Sequence, residues 1–592
     1  MQVTRLLCVF SVLATSAVAQ DLPTPTETAS AIDQLILDGE GQEVQLVDDA
    51  TFLRRTSLDL IGRPATPGEI TRFGLDPSPD KRHALVNRLL ASDEYGINWS
   101  RYWRDTIFLR ATNVRADIVR NDFEEWMASS LAKNRSWDKI TTDLLTAIGP
   151  VNGDGSTALI FAHEGQPEEI AAEASRLFLG IQIQCANCHN HPWDQWKREQ
   201  FHELAAFFPR VSVRRDRSSD NMFDYEIASV DRDRTQRPGM SQFLLTRLDR
   251  NRDKFISEAE AKNSPLARIF QSQAQTTIDK NEDGRLSIEE IMTAQPQDNN
   301  RPGQGATEHY MPNLADPGSD GDIVNPAFFL TGTAIRKGQS DLERRNAAAN
   351  LITARSNPWF AKAIVNRLWS ELTSTAFYTP IDDIGPDRTA EHEAALERLA
   401  TDFTDNNYDL KWLMTTITQT KIYQRTINTD VEGFVRLEPT RLRSDQLYDT
   451  LCQTLNVSGL PLQFMGRPTP GMRRGGDQGR LQFATTFGFD PSTPKNDLTG
   501  AIPEALFLMN SPQVNNFIKA DTQNSLIARI SRQVISDEEV IRELYLNTVG
   551  REPTSKELAV CISYLNNSSN RKEGFEDVLW SLLNSSEFQS RN

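Results

Sequence analysis

With 592 residues the chain has room for about three or four domains, and its 28 Phe and 10 Trp suffice for packed cores, which excludes a disordered polymer. A formal charge of −17 weighs against non-specific nucleic-acid binding, and five cysteines are too few for a disulfide scaffold. The first element is a leader: Arg5 supplies a positive charge, residues 6–12 are apolar, and Ala17-Val18-Ala19 forms a small-residue cleavage site. It reads as a secretory signal peptide over residues 1–19, cut after Ala19, so the mature protein is expected to be secreted or periplasmic. No later stretch has the ~20 apolar residues of a transmembrane span.

Residues 30–210 read as a helical domain. Residues 49–60 have helical periodicity and stop at Gly62; Thr66, Pro67 and Glu69 then restart a helix through an N-cap, a proline at N1 and a capping box. Trp99, Tyr102 and Trp103 recur at helical spacing and are expected in the core rather than in a binding site. A helix beginning at Pro167 is expected to run from Glu168 to about Ile183, directly before Cys185-Ala186-Asn187-Cys188-His189.

That C-x-x-C-H sequence is the one by which c-type haem is attached: two thiols one turn apart add to the vinyl groups, and the adjacent histidine ligates the iron. Cys185, Cys188 and His189 are therefore candidate haem-binding residues. His191 and Asp194 just downstream open another reading, in which the cysteines, His189 or His191 and Asp194 hold zinc or a different metal. A plain Cys185–Cys188 disulfide is the third.

Residues 211–240, polar and rich in Arg and Asp, read as a linker. Within 241–295 lie two stretches with the ligand spacing of an EF-hand calcium loop. Asp249, Asn251, Asp253, Phe255, Ser257 and Glu260 occupy positions 1, 3, 5, 7, 9 and 12 of the first. Asp279, Asn281, Asp283, Arg285, Ser287 and Glu290 occupy the same positions of the second. Oxygen side chains at 1, 3, 5 and 9 wrap a hard cation, position 7 offers its carbonyl, and the final Glu binds through both oxygens. Ile256 and Leu286, at position 8, are placed to join the loops through a short β-contact. Position 6 needs a positive φ; Gly284 suits it and Lys254 does not, so the second loop is expected to bind more tightly.

Residues 295–325 read as a second linker and 465–499 as a long surface loop. Residues 325–592 read as a second helical region, in which Asn357 caps and Pro358 opens an apolar-striped helix. The unit around Gly62-Arg63, Thr66 and Glu69 recurs as Gly550-Arg551, Thr554 and Glu557, a repeat that helix-capping needs explain without any active site. The fold class expected is mainly α: a multi-domain helical protein with an inserted EF-hand pair and long loops.

Residues 178–208, from Phe178-Leu179-Gly180 through Cys185-Ala186-Asn187-Cys188-His189-Asn190-His191-Pro192-Trp193-Asp194 to Phe207-Phe208, resemble a secreted cytochrome-like domain of unknown function abundant in planctomycetes. Residues 54–62 and 99–103 fit its N-terminal part. Asn357-Pro358-Trp359-Phe360-Ala361, Asp382-Asp383-Ile384-Gly385-Pro386 and Arg443-Ser444-Asp445-Gln446-Leu447 resemble its usual partner domain, also of unknown function. The resemblance implies the paired architecture and says little about activity. Three functions remain open. The first is an exported calcium-binding protein of the cell envelope, with an interaction or structural role toward other envelope or secreted proteins. The second is a c-type haem redox protein using Cys185, Cys188 and His189. The third is a metal-dependent extracellular hydrolase with His189, His191 and Asp194 as ligands; it ranks last, because no Ser-His-Asp elbow, phosphate loop or H-E-x-x-H motif accompanies it.

Overall fold

The computed structural model describes residues 22–41, 43–216, 218–231, 248–249, 251, 253–262, 283–287, 307–316, 319, 321–461, 478–495, 498, 500–533 and 536–591. These are mainly α-helical, with short antiparallel strands between helices. The expected signal segment, residues 1–19, lies outside them, and among the described residues no helix is long and apolar enough to cross a membrane.

Local sequence explains many of the boundaries. The helix Asp49–Ile61 starts where the Asp48 carboxylate accepts the Thr51 amide, and stops at Gly62, whose φ of 75° an L-residue adopts only with strain. Thr66 and Glu69 exchange capping-box hydrogen bonds at the head of Pro67–Leu75. Asn357 accepts the Trp359 amide at the start of Pro358–Thr373. Trp99, Tyr102 and Trp103 are buried, as their spacing predicts.

Two apolar cores organise the chain. One is continuous from Ile32 to Val435, so helices Asp341–Ile352, Pro358–Thr373 and Glu393–Asp405 pack into the same interior as the N-terminal helices. The second gathers residues from Leu442 to Phe588 and takes in Leu58 from the N-terminal helix. The repeated unit is folded twice, its N-terminal copy in the first core and its C-terminal copy in the second. Arg63 pairs with Glu69 and Glu94, and Arg551 pairs with Glu557 and Glu587 in the same arrangement.

Four sequence expectations need correction. The α-helix begun at Pro167 ends at Ala174, continues as a single π-turn, Ser175–Leu179, and stops at Gly180, where φ is 66° and the Ile181 amide turns back to the Ser175 carbonyl. The polar stretch after residue 210 is no linker at its start. Val211–Arg215 and Tyr225–Ser229 form a hairpin extended by Gly149–Pro150, with Val211 and Ile227 buried beneath a charged outer face. In the second expected linker His309–Met311 pairs with Asp322–Val324. Within 465–499, Gln478–Phe487 is a helix whose Phe483 and Phe487 rings stack at 4.1 Å in the second core. Arg, Asn and Asp in these segments hide their few apolar anchors from a composition-based reading.

Candidate functional site

The C-x-x-C-H segment sits on a loop launched by that π-turn. Gly180 has two reasons to be glycine. Its φ is left-handed, and a Cβ there would come within 2.7 Å of Ile384. The Ile384 amide donates to the Gly180 carbonyl at 2.8 Å, so the loop starts against residues 381–388 of the second helical region. Cys185 lies in a short 3₁₀ turn, Gln184–Asn187, and both Cys185 and Cys188 are exposed free thiols. His189 Nδ1 is 2.7 Å from the Asn190 carbonyl, which can only accept, so Nδ1 carries a hydrogen and, in that tautomer, Nε2 offers its lone pair. His191 Nδ1 accepts the Trp193 amide, and Trp193 itself is 80% exposed.

Asp194 faces the other way. It accepts the Gln195 amide, and its Oδ2 lies beside Gly385. Burial and the neighbouring Asp387 carboxyl raise its pKa against the pull of that amide. The Asp of one motif thus abuts the Asp382–Arg388 loop of the other, a meeting that sequence reasoning did not anticipate.

A buried histidine pair braces the loop from beneath. The Asn187 carbonyl accepts from His202 Nε2 at 3.1 Å and from Arg198 Nε at 3.2 Å. With Nε2 protonated, the neutral His202 ring must accept at Nδ1, which lies 2.9 Å from His309 Nε2. The two rings stack 5.1 Å apart, and His309 Nδ1 points toward Glu168 at 3.8 Å. Burial pulls His309 down to about 3 and lowers His202 as well, so both rings are neutral near pH 7. Nothing in the spacing of residues 202 and 309 pointed to this pair.

Beside the loop, a closed set of charges joins the two helical regions. Arg176 holds Glu173 at 2.6 Å and Asp382 at 2.7 Å, and Arg367 makes a second ion pair with Asp382. Both guanidinium groups also donate to Ser492 Oγ. The arginines hold the Asp382 carboxyl down at about 2 despite burial. His163, at 1% exposure, has a buried Nε2 without a hydrogen-bond partner, and burial lowers its pKa to about 4.

The two acidic loops are partly visible. Phe255–Ser257 pairs antiparallel with Arg285–Ser287 in the register Ile256↔Leu286, and both of those side chains are buried. Lys254 has φ 68° and Gly284 φ 76°. In the first loop Asp249 accepts the Asp253 and Lys254 amides, Asn251 the Asp253 amide, and Asp253 the Phe255 amide. Glu260 folds back to accept from Asn251 N and from Ser257 N and Oγ. In the second, Asp283 accepts the Arg285 amide, while the Arg285 side chain reaches Asp253 at 3.3 Å and lies over the Phe255 ring. Asp279, Asn281 and Glu290 lie outside the described residues. Among the described residues no three His, Cys, Asp or Glu side chains converge on one point.

The fold and these sites define a mainly helical protein built from two helical regions that share one core, with further residues between them. Residues 31–213 match the PSCyt2 family, a protein of unknown function (DUF1549), and residues 344–565 match the PSD1 family, also a protein of unknown function (DUF1553). The chain therefore carries a PSCyt2 domain followed by a PSD1 domain. No curated protein and no solved structure matches it.

Proposed function

We propose that this is an exported calcium-binding protein of the cell envelope, in which the two acidic loops form an EF-hand pair set between the PSCyt2 and PSD1 domains. The observation carrying this reading is the loop pairing: Ile256 opposite Leu286, each one residue after a position-7 carbonyl, with left-handed backbone at both position-6 residues. That antiparallel register sets position 8 of one loop opposite position 8 of the other, with positions 7 and 9 facing each other on either side. Asp249, Asp253 and Glu260 now spend their oxygens on backbone amides, which a cation can share because each carboxylate has further lone pairs.

Titration calorimetry on the whole chain tests it. Calcium should bind with a Kd of ~10⁻⁴–10⁻³ M, the range of extracellular modules, and Glu290→Gln should remove the tighter site by deleting its bidentate ligand. Absence of heat at millimolar calcium, or unchanged binding in a Glu260→Gln/Glu290→Gln double variant, rejects the proposal. A second expectation concerns Lys254, whose left-handed backbone costs roughly 1 kcal/mol relative to glycine. Lys254→Gly should raise first-loop affinity, both by relieving that cost and by removing a positive charge. Equal or weaker binding overturns this account of position 6.

A second reading, a c-type haem redox protein, draws support from the exposed pair of thiols and from the bare Nε2 of His189. Cys185 and Cys188 would hold the haem and His189 its iron; the haem, when bound, supplies one-electron chemistry. Intact mass of protein made with a haem-attachment system discriminates. Added haem mass that Cys185→Ser and Cys188→Ser each weaken supports it, whereas a chain two hydrogens light, with no haem, assigns the pair to a disulfide.

A further inference from the structure

The turn that carries the two thiols presents both of them to solvent. Gln184–Asn187 is a 3₁₀ turn with Cys188 at its C-cap, and in such a turn side chains three positions apart eclipse one another. Cys185 and Cys188 therefore stand on one face, and both are exposed, while Ala186 between them is fully buried and fixes which face turns outward. The peptide between the thiols is held from below. The Asn187 carbonyl accepts from both His202 Nε2 and Arg198 Nε, His202 is seated on His309, and the Arg198 guanidinium also reaches the Pro312 carbonyl. Farther along, the His191 amide bonds the Trp196 carbonyl at 2.8 Å, and Trp196 is buried against Phe329. Trp193 is thus held at the tip of a short closed turn, with most of its surface in solvent. The other described cysteines lack this setting, Cys452 being buried and Cys561 half-buried beside Tyr545.

We propose that Cys185 and Cys188 form an exchange-active dithiol that reacts with the disulfides of polypeptides, and that Trp193 docks the polypeptide. This activity needs neither calcium nor haem. One cysteine, as its thiolate, attacks a sulfur of the partner's disulfide. A new S–S bond joins the two chains, and the partner's other sulfur leaves as a thiolate and takes up a proton. The second cysteine loses its proton to solvent and attacks the first, which closes Cys185–Cys188 and releases the partner's remaining sulfur. The partner gains two electrons and two protons, and the pair is left as a disulfide; with an oxidised pair and a dithiol partner the same steps run in reverse. A pinned turn whose thiols already share a face gives up little freedom when the bridge closes, so the second step outruns escape of the mixed disulfide. A polypeptide suits the site better than a small disulfide does. The large apolar group set out beside the thiols is a tryptophan, which offers wide, rigid contact area at small entropic cost.

The test mixes the full chain, reduced and freed of reductant, with insulin as the polypeptide disulfide or with oxidised glutathione as the small one. Each chain should open about one insulin disulfide and become two hydrogens lighter, the loss mapping to the peptide that holds residues 185 and 188. Cys185→Ser and Cys188→Ser should each block closure, and the variant that keeps the attacking cysteine should trap insulin as a mixed disulfide. Trp193→Ala should slow the reaction with insulin about ten-fold more than the reaction with glutathione, a split that a damaged fold would not produce. Insulin opened no faster than by a Cys185→Ser/Cys188→Ser chain overturns the proposal, as does a product linked through Cys561. Covalent haem on both cysteines of the chain as isolated also overturns it, because no dithiol is then left. Equal slowing of both probes by Trp193→Ala overturns the polypeptide as partner.

Discussion

Asp382→Ala is expected to destabilise the chain by about 3–5 kcal/mol, the cost of removing one partner from a buried ion pair. Asp382 is 2% exposed and is the carboxylate on which Arg176 and Arg367 both converge. Arg176 keeps Glu173, so the loss falls on Arg367, left with Ser492 Oγ and the face of Trp103. Fully buried guanidinium cannot discharge itself near neutral pH. Asp382→Asn should cost less, because an amide oxygen still accepts. Asp382→Ala/Arg367→Met should recover much of the loss, since an apolar replacement of the whole pair removes the stranded charge. Urea unfolding at fixed calcium measures all three. A loss below about 1 kcal/mol for Asp382→Ala, the level of an exposed pair, would show that water reaches this cluster.

Acid should unfold the protein early, and two histidines should be the reason. Burial holds His163 at about 4 and His309 at about 3, against an ordinary 6.5 in the unfolded chain. Between those limits the unfolded state binds protons that the folded state refuses, so stability falls as pH drops below 6.5. By pH 5 each histidine should have cost about 2 kcal/mol. Asp33 works in the opposite sense: burial raises it to about 6, so the folded state gains a proton there first and recovers part of the loss. Comparing urea midpoints at pH 7 and pH 5 tests the sign, with His163→Phe/His309→Gln as the variant pair. The double variant should lose clearly less than the wild type. An identical drop would place the acid sensitivity elsewhere.

What the sequence disclosed was mostly local. The Thr66 and Asn357 caps, the αL glycine at 62 and the left-handed backbone at Lys254 are set by a few adjacent residues, and each is where chain-level rules put it. The Ile256–Leu286 register was legible because two copies of one loop impose their own symmetry. The body of the candidate site was hidden for the opposite reason. His202 and His309 are 107 positions apart, Arg176 and Asp382 are 206 apart, and no spacing rule connects such pairs. Even the helix before Cys185 misled, since a π-turn at Ser175–Leu179 preserves apolar periodicity while ending the α-helix early.

The small N-terminal helix Asp49–Ile61 has a consequence for the order in which the molecule can form. Arg54 ends on the Thr548 carbonyl, 494 residues away, and Asp59 on the Arg591 guanidinium, 532 residues away, while Leu58 lies in the second core. As the chain is made, this helix carries three charges destined for burial, Arg54, Arg55 and Asp59, whose partners do not yet exist. Its stable docking must wait for residues 548–591, so a helix near the start of the sequence is among the last to be locked in place. Contacts this distant slow folding and prolong exposure of apolar surface. A nascent chain held open in this way stays extended, and open to chaperones, until its final helices arrive.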